Sequence, residues 1–229
     1  LADEKLVVPP VREGYSMAET VLDVLRSDDG FSHEEAMLLD VMLTLHAEHG
    51  GGNNSTFTTR VLSSSGTDAY SAYAAAIGSL KGPKHGGANF KVSQMIDDVA
   101  AHVRHWDSDD ELASYLAKIV RKEAFDKSGL IYGLGHAVYT LSDPRAQIVK
   151  TYARRVAADK GLSERFGLIE SIERLGPQVM RDVKGSAKAI CANIDLYTGF
   201  IYSMLGIEPD LYTAIFAMAR LAGWTAHRM

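Results

Sequence analysis

Only one cysteine, Cys191, occurs in the 229 residues, so no intrachain disulfide framework braces this chain. A single thiol among apolar neighbours suits a reducing compartment, and Cys191 is expected to be buried and inert. Basic charge is not in excess either. The 24 Lys and Arg face 29 Asp and Glu, the net charge is -5, and the basic residues are scattered. That lacks the electrostatic footprint of a nucleic-acid binder, and no nucleic-acid partner is expected. Long apolar runs are missing: the longest, such as Ala214 to Ala219, fall well short of the roughly 20 residues of a membrane span. No membrane partner is expected, and no signal-peptide pattern opens the chain. The start at Leu1 and the end at His227-Arg228-Met229, without a helix stop, read as cut ends, so targeting information is not expected to be visible.

What is present is apolar material, 46% of residues against 23% charged, enough for one substantial core or two unequal ones. Helix signals dominate. Ser32 and Glu35 have the S-x-x-E capping-box spacing ahead of a stretch running to His49, stopped by Gly50-Gly51-Gly52. Alanine-rich Asp68 to Leu80 is broken by Lys81-Gly82-Pro83. Ser108 and Glu111 repeat the capping-box spacing before a helix to about Phe125. Asp143-Pro144 places a cap and an N1 proline at the head of a helix ending near Gly161, and further helices are expected over Ser163 to Leu175, about Asn193 to Leu205, and Leu211 to the end. No stretch reads better as strand, so the fold class is all-α, and no 20- to 50-residue repeat suggests a solenoid.

Three glycine-rich interruptions stand out: Gly50 to Asn54, Gly82 to Asn89 and Gly129 to His136. Two contain a histidine and the third follows one. Glycine lets backbone N–H groups approach a ligand, and imidazole titrates near neutrality, so such loops are candidate sites as well as ordinary turns. His49 continues the stripe Leu38, Met42, Leu45 and is either a C-capping histidine or a site residue. Asp195 lies among apolar and aromatic residues; if Asn193 is the N-cap, it falls in the first helical turn, where the dipole favours its charge and burial opposes it. Arg220, equally surrounded, wants a carboxylate or phosphate, and Arg145 in the first turn after Asp143-Pro144 would favour an anion. His46 with His49, and His102 with His105, are three apart, but two ligands do not make a site. With one cysteine and no H-E-x-x-H, no metal is expected.

In their order these segments resemble the citrate synthase family: Leu45-His46-Ala47-Glu48-His49; Gly82-Pro83-Lys84-His85-Gly86-Gly87-Ala88-Asn89; Gly133-Leu134-Gly135-His136-Ala137-Val138-Tyr139; Asp143-Pro144-Arg145; Asn193-Ile194-Asp195-Leu196-Tyr197-Thr198-Gly199; and Phe216-Ala217-Met218-Ala219-Arg220. The match runs from about residue 33 to the end. The resemblance implies a helical enzyme of a large and a small domain, with residues 1–84 and 191–229 in the large domain and 85–190 forming the small one. It implies condensation of acetyl-CoA with oxaloacetate and hydrolysis of citryl-CoA to citrate and CoA. Asp195 would deprotonate the acyl methyl group, His85 would stabilise the enol or enolate, and His136 would polarise the ketone. His49, Arg145 and Arg220 would hold the oxaloacetate carboxylates.

CoA would lie along Leu130, Ile131, Gly133, Leu134 and Gly135 at the adenine end, and along Gly86, Gly87 and Ala88 near His85 at the pantetheine end. Many relatives carry a basic residue for a CoA phosphate where this chain has Thr140, a departure at that contact. A homo-oligomer, a dimer or a hexamer of dimers, and a cytoplasmic location are implied, with a mitochondrial matrix location left open. The family normally has a long amino-terminal half and a further C-terminal segment, so this chain alone is expected to be folded and weakly active or inactive. The same catalytic set serves 2-methylcitrate synthase with propionyl-CoA. A catalytically silent helical interaction module is the reading from a different class.

Overall fold

A computed structural model describes residues 10–26, 30–82, 85–136, 139–185 and 189–229. Pro83 and Lys84 of the second block, and Ala137 and Val138 of the third, lie outside the described residues. All regular structure among the described residues is helical apart from one isolated antiparallel bridge between Leu134 and Ala192. The all-α expectation is met.

The helices start where side chains satisfy their first amide groups. Helix α1 (Met17–Leu25) opens on Ser16, whose capping box with Glu19 has both of its bonds, and was not anticipated from the sequence. Ser32 and Glu35 make the same reciprocal pair ahead of α2 (His33–His46). Helix α2 ends at His46, three residues before the expected His49. The Ala47 N–H already bonds back to the Thr44 carbonyl, and Gly50 takes φ +84, a left-handed turn that moves the backbone off the helix axis. His49 is therefore a loop residue.

Helix α3 (Asn54–Ser64), also unanticipated, and α4 (Ala69–Leu80), capped by Asp68 on the Ser71 N–H at 3.0 Å, form a hairpin that packs on the C-terminal helix. Helix α5 (Ala88–His102) follows the second glycine loop. Helix α6 (Asp109–Val120) stops short of the expected Phe125, because Lys122, Phe125 and Lys127 all adopt positive φ. Its capping box is half formed: Ser108 accepts from Glu111, whose carboxylate turns to the Arg104 and His105 amides instead.

Helix α7 (Pro144–Asp159) has the expected Asp143 cap and N1 proline. Helix α8 (Ser163–Lys184) continues beyond Leu175 and through Pro177, because Gly176, Val179 and Met180 prolong the buried face begun by Ile169 and Ile172. Helix α9 (Asp195–Met204) is buried on almost every side and packs against α5 and α7. A 3-10 turn, Pro209–Leu211, leads into α10 (Tyr212–Arg228).

Cross-links between distant helices hold this frame. Buried Glu35 accepts from Arg26 and Lys160, each at 2.7 Å, joining α1, α2 and the end of α7. Fully buried Trp224 fills a small cluster with Ala76, Leu80, Phe216 and Ala217 between α4 and α10. Cys191 is buried, as expected, and its thiol donates to the Tyr139 carbonyl at 3.4 Å. No helix among the described residues is long and apolar enough to cross a membrane.

Candidate active site

The turn after α2 sets His49. Gly223 of α10 lies so close that its amide donates to the Ala47 carbonyl at 3.1 Å, and a Cβ there would stand 2.3 Å from that oxygen. One turn earlier on α10, Arg220 is 1% exposed; its Nε–H donates to the His46 carbonyl at 2.5 Å and its guanidinium lies over the Phe216 ring. Its NH1 group has no hydrogen-bond partner among the described residues. Burial, and after it the Arg145 charge, lowers the Arg220 pKa to about 10, with Glu48 and Asp195 opposing the fall.

The glycine loop before His136 is laced to the head of α9. Gly135 donates to the Cys191 carbonyl at 2.7 Å, Asn193 donates through its backbone to Gly133 at 2.9 Å and through its amide side chain to Gly135 at 2.8 Å. Gly133 needs its φ of +83 and its missing side chain together, since a Cβ would fall 2.8 Å from the Leu196 Cα. The Asn193 Oδ1 accepts from the Asp195 N–H at 3.0 Å, which gives that residue its expected place in the first turn of α9.

His49, His136 and Arg145 converge. The two imidazole Nε2 atoms are 3.1 Å apart, and Arg145 places NH1 3.2 Å from His49 Nδ1 and NH2 3.3 Å from His136 Nε2. Protonation follows from donors. The Tyr139 N–H donates to His136 Nδ1 at 3.0 Å, which puts the proton of a neutral ring on Nε2. A guanidinium only donates, so His49 accepts at Nδ1 and also carries its proton on Nε2. His49 Nδ1 takes up the Arg145 NH1 donor, and the two Nε2–H groups and Arg145 NH2 are left as donors facing one another. An oxygen-rich anion or carbonyl entering between them would accept from all three.

Both rings are neutral near pH 7. Burial pushes His49 down to about 4, assisted by the Arg145, His136 and Arg220 charges, and burial followed by Arg145 lowers His136. The Tyr139 ring closes one side, 4.8 Å from His136 and beneath the Arg145 guanidinium at 5.5 Å.

His85 is oriented by α3 and α10. The Ser55 N–H donates to His85 Nε2 at 3.3 Å, and the Ser55 hydroxyl lies 2.9 Å from the same nitrogen. Nε2 is therefore the acceptor and Nδ1 carries the proton. Ser55 is itself held by the Trp224 Nε1–H at 3.2 Å and by Asn53 at 3.0 Å. Burial and then the Arg220 charge lower the His85 pKa, so this imidazole too is a neutral donor.

Asp195 carries the opposite perturbation. Burial pushes its carboxyl up to about 6; Asp143 adds to the rise, and Arg145 and Arg220 restrain it. Arg220 acts electrostatically on His46, His49, His85 and Asp195, and Arg145 on His49, His136 and Asp195. All six catalytic and carboxylate-binding residues expected from the sequence are thus connected in one region.

The segments expected to bind CoA are placed less uniformly. Leu130 is exposed, Ile131 is buried in the core, and Leu134 pairs with Ala192 and rests on Gly176. Gly86 is buried, with its amide on the Leu80 carbonyl at 2.8 Å, while Gly87 caps α5 and Ala88 begins it. His46 is a core residue, its Nδ1–H donating to the Met42 carbonyl and its ring edge-on to Phe216. His102 pairs with Asp98, and His105 with Glu111. No three potential metal ligands cluster among the described residues. Ser55, Tyr139, Trp224 and the carboxylate of Asp143 were not anticipated as site residues. Only Asp143 had a local signal, its cap position, which pointed to helix initiation alone.

Comparison with known proteins follows the same path. A family profile described as citrate synthase, C-terminal domain, matches residues 2–229. The chain is 42% identical over 194 residues to the citrate synthase of Deinococcus radiodurans, covering 84% of this chain and 46% of that protein. It is 38% identical over 192 residues to the 2-methylcitrate synthase of Shewanella oneidensis, covering 84% and 46%. The crystal structure of citrate synthase from Pyrobaculum aerophilum superposes with a TM-score of 0.78 at 29% identity, covering 97% of this chain and 51% of that one. A citrate synthase from Thermoplasma acidophilum, solved with carboxymethyl coenzyme A and oxaloacetate, superposes at 0.73 with 27% identity over 95% and 53%. The chain spans about half the length of the curated relatives it matches.

Proposed function

Because the chain belongs to the citrate synthase family, we propose that its site condenses acetyl-CoA with oxaloacetate and that the citryl-CoA formed is hydrolysed to citrate and CoA. The observation that carries this reading is the convergence of His49, His136 and Arg145, whose two Nε2–H groups and guanidinium NH2 face one another and suit a ketone flanked by carboxylates. Arg220, with its buried unpartnered NH1, supplies a further donor for a carboxylate.

Asp195 takes a proton from the acyl methyl group. A carboxyl group titrating at about 6 is ionised at neutral pH and more basic than an ordinary aspartate, which suits a weakly acidic carbon. His85 donates from Nδ1 to the thioester oxygen as negative charge develops there, its tautomer held by Ser55. The enol carbon attacks the ketone, and His136 donates from Nε2 to the oxygen that becomes the alkoxide. Water then cleaves the thioester. In this reading residues 85–190 form the small domain, CoA lies along Leu130 to Gly135 and Gly86 to Ala88, and the protein works as a cytoplasmic homo-oligomer.

Propionyl-CoA is the alternative acyl donor, favoured by the likeness to a 2-methylcitrate synthase. One methylene in an apolar pocket discriminates by only about 1–3 kcal/mol. Thiol release by the protein in its full native length, with oxaloacetate and either acyl-CoA, tests both: the larger kcat/KM names the substrate, and no release with either removes the condensation reading.

A further inference from the structure

Asp143 is 1% exposed, and four amide or guanidinium donors converge on its carboxylate. Oδ1 accepts the Arg145 backbone N–H and Nε–H, each at 3.0 Å; Oδ2 accepts Arg145 NH2 at 2.8 Å and the Ile194 N–H at 3.1 Å. One side chain therefore caps α7, grips the Nε–NH2 edge of Arg145, and ties down the residue immediately before Asp195. Arg145 is left with NH1, and the second hydrogen of NH2, directed towards His49 and His136. We propose that Asp143 is a positioning residue that holds Arg145 and the head of α9 in one frame, so that a dicarboxylate seated on Arg145 is fixed relative to the Asp195 carboxylate. This rests on the condensation reading above.

Both oxygens must accept for all four bonds to exist, and only a carboxylate does that. Asparagine presents one oxygen and one NH2, so in either orientation one donor of the Arg145 edge faces another donor, together with the Arg145 backbone N–H or the Ile194 N–H. Serine preserves the helix cap and loses the bidentate grip. The charge matters as well as the geometry. Asp195 is faced by Arg145 and Asp143 from α7, by Arg220 from α10, and by the Tyr202 phenol of its own helix. Removing the Asp143 charge takes away its repulsion of the Asp195 carboxylate and leaves Arg145 without its carboxylate partner, so the Asp195 titration moves to lower pH.

The test uses Asp143→Asn and Asp143→Ser in the full-length protein, with steady-state kinetics and a carboxyl carbon-13 NMR titration of Asp195. A misplaced acceptor site is expected to raise the oxaloacetate KM about tenfold and lower kcat roughly 100-fold. The acid limb of the rate and the Asp195 titration are expected to move down together. A helix-capping role alone would lower the melting temperature and leave the Asp195 titration in place; that result, or wild-type KM and kcat in folded Asp143→Ser, overturns the proposal. If the wild type releases no thiol, the condensation reading falls by itself. The titration then decides the positioning role: a shift in Asp143→Ser supports it and an unshifted Asp195 overturns it.

Discussion

Replacing Asp195 with asparagine is expected to stabilise the protein while abolishing turnover, and the size of the gain follows from its titration. Burial lifts the carboxyl group from its ordinary 3.8 to about 6. The folded state therefore holds a proton between those values that the unfolded state has released, so stability falls as pH rises from about 4 to 6 and stays reduced above. At about 1.36 kcal/mol per pKa unit, the ionised carboxylate costs about 3 kcal/mol at neutral pH. Partial exposure of the residue reduces this to about 1–3 kcal/mol. The asparagine variant carries no charge here at any pH. The stability gap between variant and wild type should widen by that amount between pH 4 and pH 7, about 2–10 °C in melting temperature for a chain of this size. Urea unfolding of both proteins across that range measures it, with thiol release as the parallel readout. A pH-independent gap would mean that the carboxylate is fully compensated in the fold and would refute the poised-base argument.

Burial raises the Glu35 pKa, but bonds from Lys160, the Ser32 amide and Arg26 overrule it and bring the group down to about 2, so its contribution is complete above about 4.5 and is lost as pH falls towards 2. Glu35→Gln should cost about 3–5 kcal/mol at pH 7 by leaving two cations beside a buried amide, and the penalty should shrink on acidification in a pH-resolved unfolding series. Gly223→Ala should destabilise despite the better helix propensity of alanine, since its Cβ meets the Ala47 carbonyl at 2.3 Å; a raised oxaloacetate KM, from displacement of the His49 turn, is the accompanying kinetic sign. Ser55→Ala should lower kcat about tenfold with little change in oxaloacetate KM, because it loosens His85 and leaves His49 and Arg145 untouched. An unchanged kcat would remove Ser55 from the orientation of His85.

Several features of this protein were legible from local spacing because the interactions that make them are local. The Ser32–Glu35 box, the Asp68 and Asp143 caps and the N1 proline each act within about one helical turn, and the residues supply them directly. Where such signals were overridden, tertiary contact was the reason. Helix α8 runs through Pro177 on the strength of its buried face, and α2 stops before His49, where the Ala47 carbonyl accepts from the Gly223 N–H of α10. Helix α3 buries Ser55, Thr56 and Thr59 and exposes Phe57 and Val61, a reversal that hid it from any apolar periodicity.

The sequence by itself determined the helical class, the principal caps and the residue types of the site, in an order that resembles one enzyme family. The tertiary structure decided what those residues are. His49 and His136 are 87 positions apart, and Arg220 reaches the His46 carbonyl across 174. The tautomers of His85 and His136 are set by a serine and an amide that no spacing rule connects to catalysis. Desolvation, which makes three histidines neutral and one aspartate basic, belongs to the packed assembly of α2, α7, α9 and α10. No short window of sequence contains the groups that exclude the water.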